Sequence, residues 1–139
     1  MAVVSLSINL KTRGNGDVVD ITSEIAEAVR NSKVASGVVT AFVPGSTAGL
    51  TTIEYEPGLV EDISEMFEKT APENKEYHHN LRWHDGNGHA HVRASLLGPS
   101  LGIPFKDGKL MLGVWQQVVL IDFDNRSRER DIICQVVGA

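Results

Sequence analysis

The sequence predicts an α+β fold, with about seven mainly antiparallel strands in packed sheets and three helices. Three observations carry that expectation. Apolar residues alternate at a spacing of two near the N-terminus and gather into short runs through the last third. Other segments repeat at helical spacing instead, and the connections near the end are of hairpin length.

Val4, Leu6, Ile8 and Leu10 alternate with polar or small residues, the pattern of a strand with one buried face. A turn cluster follows at Arg13-Gly14-Asn15-Gly16-Asp17. Ile21, Ile25, Ala28 and Val29 then lie on one face of an amphipathic helix, with Glu24 and Glu27 early and Arg30 and Lys33 late, an order that suits the helix dipole. Gly37 to Val43 is a nearly continuous apolar run, expected as a strand covered on both faces. Beyond the turn at Pro44-Gly45-Ser46-Thr47, Ala48 to Glu54 reads as another strand. Pro57 opens a helix whose stripe is Leu59, Ile63, Met66 and Phe67, and Thr70-Ala71-Pro72 closes it.

The stretch Tyr77 to Leu97 holds all five histidines: His78, His79, His84, His89 and His91. Its first half is aperiodic and is expected as a loop. In its second half Ala90, Ala94 and Leu97 recur at helical spacing and Gly98-Pro99 supplies a stop, which predicts a third helix with His91 near its start. Strands are expected at Leu101–Phe105, Leu110–Leu112, Val114–Phe123 and Asp131–Val137, with a polar segment from Asp124 to Glu129.

With 139 residues and 42% hydrophobic composition, the chain is expected to form a single domain spanning residues 1–139. A formal net charge of −5 argues against nucleic-acid binding by bulk electrostatics. No apolar stretch approaches the roughly 20 residues of a membrane span. The N-terminus lacks the basic and apolar regions of a signal peptide, so the expected compartment is the cytoplasm. The single cysteine, Cys134, lies in the apolar run Ile132 to Val137 and is expected as a buried core thiol.

Candidate chemistry centres on three places. His89 and His91 diverge by about 200° on a helix and cannot face one ion together. A metal held by His79, His91 and a carboxylate requires the loop to fold back over the helix; the alternative is a set of solvated loop histidines. Gly45-Ser46-Thr47-Ala48-Gly49 is a small-residue turn that can present N–H groups to an anion, or simply connect two strands. Glu54, at the far end of the next strand, can act as a metal ligand or general base. Arg128 and Arg130 share a strand face, either as a bidentate phosphate site or as charges guarding an edge.

Five blocks occur in order: Phe42-Val43-Pro44-x-Ser46-Thr47-Ala48, Asn87-x-His89-Ala90-His91, Gly98-x-Ser100, Gly108-Lys109-Leu110-x-Leu112-Gly113-x-Trp115-Gln116, and Asp124-x-Arg126-x-Arg128-x-Arg130. Together they cover nearly the whole chain and resemble the YjbQ-like family, whose members carry the label secondary thiamine-phosphate synthase. The resemblance implies packed antiparallel sheets, a homotrimer and a polar pocket near subunit contacts. By position, His91 matches the family's Ala-His histidine, His79 the histidine two after Tyr77, and Asn87 the asparagine before them. The chain departs from the family at Gly45, where many relatives have histidine, and at His89, where many have aspartate.

The function this implies is a transferase that joins a pyrimidine pyrophosphate to a thiazole phosphate and releases pyrophosphate. Ser46, Thr47, Asn87, Arg128 and Arg130 would bind the phosphorylated substrate, with Trp115 stacking on a heteroaromatic ring and Gln116 beside it. His79, His91 and Glu54 would be the catalytic groups and the ligands of a divalent metal, Mg²⁺ or Zn²⁺. Two further readings remain open: a non-catalytic trimer that binds a metal or small anion, and a hydrolase of a phosphorylated metabolite.

Overall fold

A computed structural model describes all residues, 1–139, and shows an α+β protein with eight strands and four helices. The strands are β1 (Ala2–Thr12), β2 (Asp17–Asp20), β3 (Gly37–Phe42), β4 (Ala48–Ile53), β5 (Ser100–Lys106), β6 (Lys109–Leu110), β7 (Gln117–Asp122) and β8 (Arg128–Gly138). The helices are α1 (Thr22–Ser32), α2 (Pro57–Thr70), α3 (His78–Trp83) and α4 (Gly88–Leu97). Every strand pairing is antiparallel. One sheet has the order β1-β8-β3-β5-β6 and the other β2-β7-β4.

Alternation along the strands decides the layering. β1 turns Val4, Leu6, Ile8 and Leu10 inward, and β8 adds Ile132, Cys134 and Val136. These side chains meet Val39, Ala41, Ile103 and Phe105 from the same sheet, Ile25, Ala28 and Val29 from α1, and Leu50, Val118 and Leu120 from the small sheet. β7 is buried on both faces. Its alternate residues Val119 and Ile121, with Phe123 just beyond its end, form a second core with Phe67 of α2 and Ala90 and Ala94 of α4. The small sheet is therefore a shared middle layer, and α4 is held over its outer side. Removing the side chain of a fully buried leucine such as Leu120 costs about 2–5 kcal/mol in packing of this kind.

Five elements differ from the expectation. β3 is covered on one face only: Val39 and Ala41 are buried, whereas Val38, Thr40 and Phe42 are exposed, because no layer packs on the outer side of the large sheet within the chain. β2 falls where only a turn was expected, because Val18 and Val19 form too short a run to show alternation. α3 forms inside the expected loop; none of its residues is buried, so it leaves no apolar stripe. β7 begins at Gln117 rather than Val114, and Val114 and Trp115 lie exposed in the preceding turn. β8 begins at Arg128 rather than Asp131, because its ladder with β1 continues until Thr12 meets Arg128. Cys134 is fully buried, and burial pushes its thiol up to about 11.

Candidate functional site

The two sheets meet where Thr47 enters β4, Asp122 ends β7 and β8 begins. Asp122 and Asp124, two residues apart, accept hydrogen bonds from nearly everything around them. Arg130 donates from Nε to Asp122 Oδ2 (2.7 Å) and from Nη2 to Asp122 Oδ1 (2.9 Å). Its Nη2 also donates to the Thr47 hydroxyl at 2.7 Å. Thr12 closes the far side of Asp122 with a 2.6 Å bond. Around Asp124 stand Thr47 Oγ1 (3.1 Å), Arg128 Nε (2.8 Å), Asn87 Nδ2 (3.2 Å) and the backbone N–H of Asn125 (2.8 Å). Burial alone would raise the Asp124 carboxyl. The hydrogen bonds from Asn87, Arg128, Asn125 and Thr47 outweigh it and hold the group at about 2.

Asn87 links this network to the histidines. It is the N-cap residue of α4 and spends its amide on Asp124 instead of capping the helix, which leaves its buried Oδ1 without a partner. Gly88 follows because nothing larger fits: a Cβ there would stand 2.6 Å from Tyr77 Cβ and 2.9 Å from Asn80 Oδ1. Asn80 Oδ1 accepts the Gly88 N–H at 2.8 Å, and Asn125 Nδ2 donates to the Asp85 carbonyl at 2.7 Å. These ties fold α3 back onto α4.

The result is a contact between His79 and His91, whose ring centroids are 4.2 Å apart with a tilt of 38°. His91 is held below its ordinary pKa by burial and then by the neighbouring His79, so it is neutral at neutral pH. His79 Nδ1 lies 3.5 Å from Asp85 Oδ1 but is not aligned for a hydrogen bond, and it is a buried atom without a partner. His91 also lines a cleft of about 190 Å³ with Gly45, Ser46, Ala48, Ala94, Ser95 and Pro99. His89 points the other way, into the protein at 2% exposure, and burial lowers its pKa too.

Gly45 lines the cleft and abuts Arg130: a Cβ built there would stand 2.9 Å from Arg130 Nη1. The two other guanidinium nitrogens are engaged by Asp122 and Thr47, whereas Nη1 makes no hydrogen bond within the chain.

Ser46, Thr47, Asn87, His79, His91, Arg128 and Arg130 thus gather at one corner. The remaining three expected site residues do not. β4 pairs Ala48 with Asp122 at the corner and Ile53 with Gln117 at the opposite end, roughly 16 Å along the strand. Glu54, Trp115 and Gln116 belong to that far end: Gln116 donates to Thr52 Oγ1 at 3.1 Å, and Trp115 is 73% exposed. Glu54 therefore cannot join His79 and His91 as a ligand within one protomer, and no group of three or more His, Cys, Asp or Glu side chains is placed to hold a metal. Two imidazoles packed ring against ring do not fit Mg²⁺, which prefers an octahedral set of oxygens, and fall short of the three protein ligands of a catalytic zinc site. The arginine row is also more committed than its spacing suggested. Each guanidinium faces inward onto a buried aspartate, and Arg126 lies exposed outside the row.

Asp122, Asp124 and Thr12 are the residues the sequence reading left out of the site. Their signal was the two aspartates at a spacing of two, followed six residues later by two arginines at the same spacing.

Elsewhere, a larger groove of about 660 Å³ runs along α2 past Asp62, Glu65, Met66, Glu68, Lys69 and Thr70. It is open and lined from a single helix, and it holds none of the histidines or inward-facing arginines.

Fold and site together define an α+β protein of two packed antiparallel sheets, with a histidine-lined cleft beside a buried Asp–Arg network. The chain belongs to the UPF0047 YjbQ-like family, whose model matches residues 6–139. The UPF0047 protein of Archaeoglobus fulgidus is 37% identical over 128 residues, covering 92% of this chain and 98% of that one. A UPF0047 protein of Methanocaldococcus jannaschii is 36% identical over 130 residues, covering 93% and 91%. Among solved structures, a YbjQ-like protein of unknown function from Sulfolobus solfataricus superposes with a TM-score of 0.94 at 33% identity over 99% of both chains. A hypothetical protein from Aeropyrum pernix gives 0.90 at 32% identity, over 98% of this chain and 99% of that one.

Proposed function

We propose that this protein binds a phosphorylated small molecule in the cleft between the Gly45–Ser46 turn and α4, and that its chemistry is transfer of the thiamine-phosphate synthase type. One observation carries the reading: His91, neutral and half-buried, faces the same cleft as Ser46 and Ser95, within reach of a ligand and braced from behind by His79. A neutral imidazole in that position accepts or returns a proton, while Ser46 offers its hydroxyl to a phosphate oxygen and Ser95 donates its own to the His91 carbonyl at 2.8 Å. Thr47 and Asn87 act one step back by fixing the turn and the start of α4. No step is assigned to a resident metal.

A cleft of about 190 Å³ lies below the roughly 300–1,000 Å³ of ordinary ligand pockets. It holds one phosphorylated ring more readily than two. A second copy of the chain would enlarge it, and a homotrimer is the assembly we propose. Met111, Val114 and Trp115 support this, because they form an exposed apolar tip, with Trp115 at 73% exposure, of the kind a neighbouring subunit covers. Trp115, Gln116 and Glu54 would then enter the site from the adjacent protomer.

A second reading, binding without turnover, is favoured by the pairing of Arg128 and Arg130 with Asp124 and Asp122. Those four charges sum to zero and leave little to neutralise a departing pyrophosphate. The deciding experiment is thiamine-phosphate formation from the pyrimidine pyrophosphate and thiazole phosphate with Mg²⁺. It compares wild type with His91→Ala after both are shown folded and of equal oligomeric size. Turnover that collapses in the variant supports transfer. Equal rates, or no product from either protein, remove it and leave the binding protein or the hydrolase.

A further inference from the structure

We infer that Arg130 has a second use beyond its ion pair: its Nη1 group, presented through the gap left by the missing side chain of Gly45, is the anchor for the phosphate of the ligand in the His91 cleft. This rests on the reading of that cleft as a ligand site and specifies which ligand group enters and what holds it.

The guanidinium is fixed at three points, with Nε and Nη2 on the Asp122 carboxylate and Nη2 on the Thr47 hydroxyl. Arg130 is only 9% exposed, so the group is nearly enclosed and cannot swing out to solvent. Nη1 carries two further N–H donors, and neither is used inside the chain. Nη1 is not among the buried side-chain atoms that lack a partner, so it keeps contact with solvent and is open to an acceptor from outside.

Gly45 is what keeps that edge open. A Cβ at this position would stand 2.9 Å from Nη1 and 4.0 Å from the guanidinium carbon. The glycine is not required by backbone conformation, since it is absent from the glycines with positive φ. Its role is to leave space. Ser46 and His91 line the same concavity as Gly45, the residue that abuts Nη1, so a hydroxyl and an imidazole stand one backbone residue away from the cationic N–H₂. Those groups match a tetrahedral oxyanion, which takes charge-assisted bonds from arginine. Because Asp122 neutralises Arg130, the attraction is directional more than long-ranged, and modest affinity for a free phosphate follows.

The test titrates inorganic phosphate and pyrophosphate into the full-length protein, read by calorimetry and by the ¹⁵N signals of the Arg130 side chain. Wild type is expected to bind saturably with a shift of the Arg130 signals. Gly45→Ala places a methyl group over Nη1 and is expected to weaken binding at least ~10-fold with the fold retained, the loss of a charge-assisted hydrogen bond. This substitution is used because Arg130→Ala would strand Asp122 and confound lost binding with lost stability. Absence of binding by wild type, equal binding by Gly45→Ala, or binding with unmoved Arg130 signals each overturns the inference. Loss of binding in His91→Ala together with full binding in Gly45→Ala overturns the Arg130 anchor and leaves the cleft standing as a ligand site.

Discussion

Arg130 Nη2 and Thr47 Oγ1 are 2.7 Å apart, and that contact ties β8 of the large sheet to the entry of β4 in the small one. Thr47 passes the connection to Asp124 and Arg130 passes it to Asp122, so one buried network spans both sheets beside the histidine cleft. The arginines that the sequence offers as ligand groups are first of all the counter-ions of two buried aspartates.

Arg130→Ala should therefore act on folding before it acts on binding. Removing one partner of a buried ion pair costs about 3–5 kcal/mol, because the other charge is left uncompensated. Thr47→Val removes a neutral partner and should cost about 1–2 kcal/mol. Urea unfolding midpoints rank the two, and an Arg130→Ala protein as stable as wild type would contradict the network.

Acid should weaken the same corner. Asp124 is held at about 2 in the folded protein, against an ordinary value of 3.8, so its contribution is complete above the unfolded value and is lost as pH falls from about 4 to 2. The difference corresponds to about 2 kcal/mol. Asp124→Asn should flatten the stability curve across that interval, measured as unfolding midpoints between pH 5 and 2.

His89 and His91 titrate in the opposite chemical sense with the same consequence for stability. Both are lowered below 6.5, so the unfolded chain takes up protons first as pH drops. Their contribution to stability is complete above pH 6.5 and declines below it, until the folded imidazoles themselves charge. NMR titration of the ring protons should place both midpoints under 6.5, and a His91 midpoint above that value would remove the enclosed, His79-facing environment described for it.

Gly88→Ala should disturb the histidine pair from a distance. Its methyl group would meet Tyr77 Cβ at 2.6 Å and Cγ at 2.9 Å, atoms at the root of the side chain that move only with the backbone, and Asn80 Oδ1 at 2.9 Å. Overpacking of this kind costs about 1–3 kcal/mol, and α3 is the element free to move. Loss of contact between the His79 and His91 rings, read from their mutual nuclear Overhauser effects, is the expected outcome.

Much of the fold was readable because the cores are built on strict alternation. Val4 to Leu10 and Ile132 to Val136 each show one buried face, and α1 shows its stripe at Ile25, Ala28 and Val29. α3 was hidden because its residues bury nothing, and β2 because Val18 and Val19 are too few to show a period. In the site, Ser46, Thr47, His91 and the arginines were legible by residue type. What the chain order concealed was direction: Glu54 follows Thr47 by only seven residues, yet an extended strand carries it to the other end of the sheet. Asp122 and Asp124 were hidden by their position at the end of an apolar strand, where they read as the edge of a loop.

On the proposed reading, ligand enters the cleft between Ser46 and His91. The most direct test is titration of a thiazole phosphate into the protein while the Ser46 backbone amide and the His91 imidazole are followed by NMR. Both signals should shift together and saturate at one ligand concentration. Saturating shifts confined to the α2 groove around Met66, with Ser46 and His91 unmoved, would contradict it.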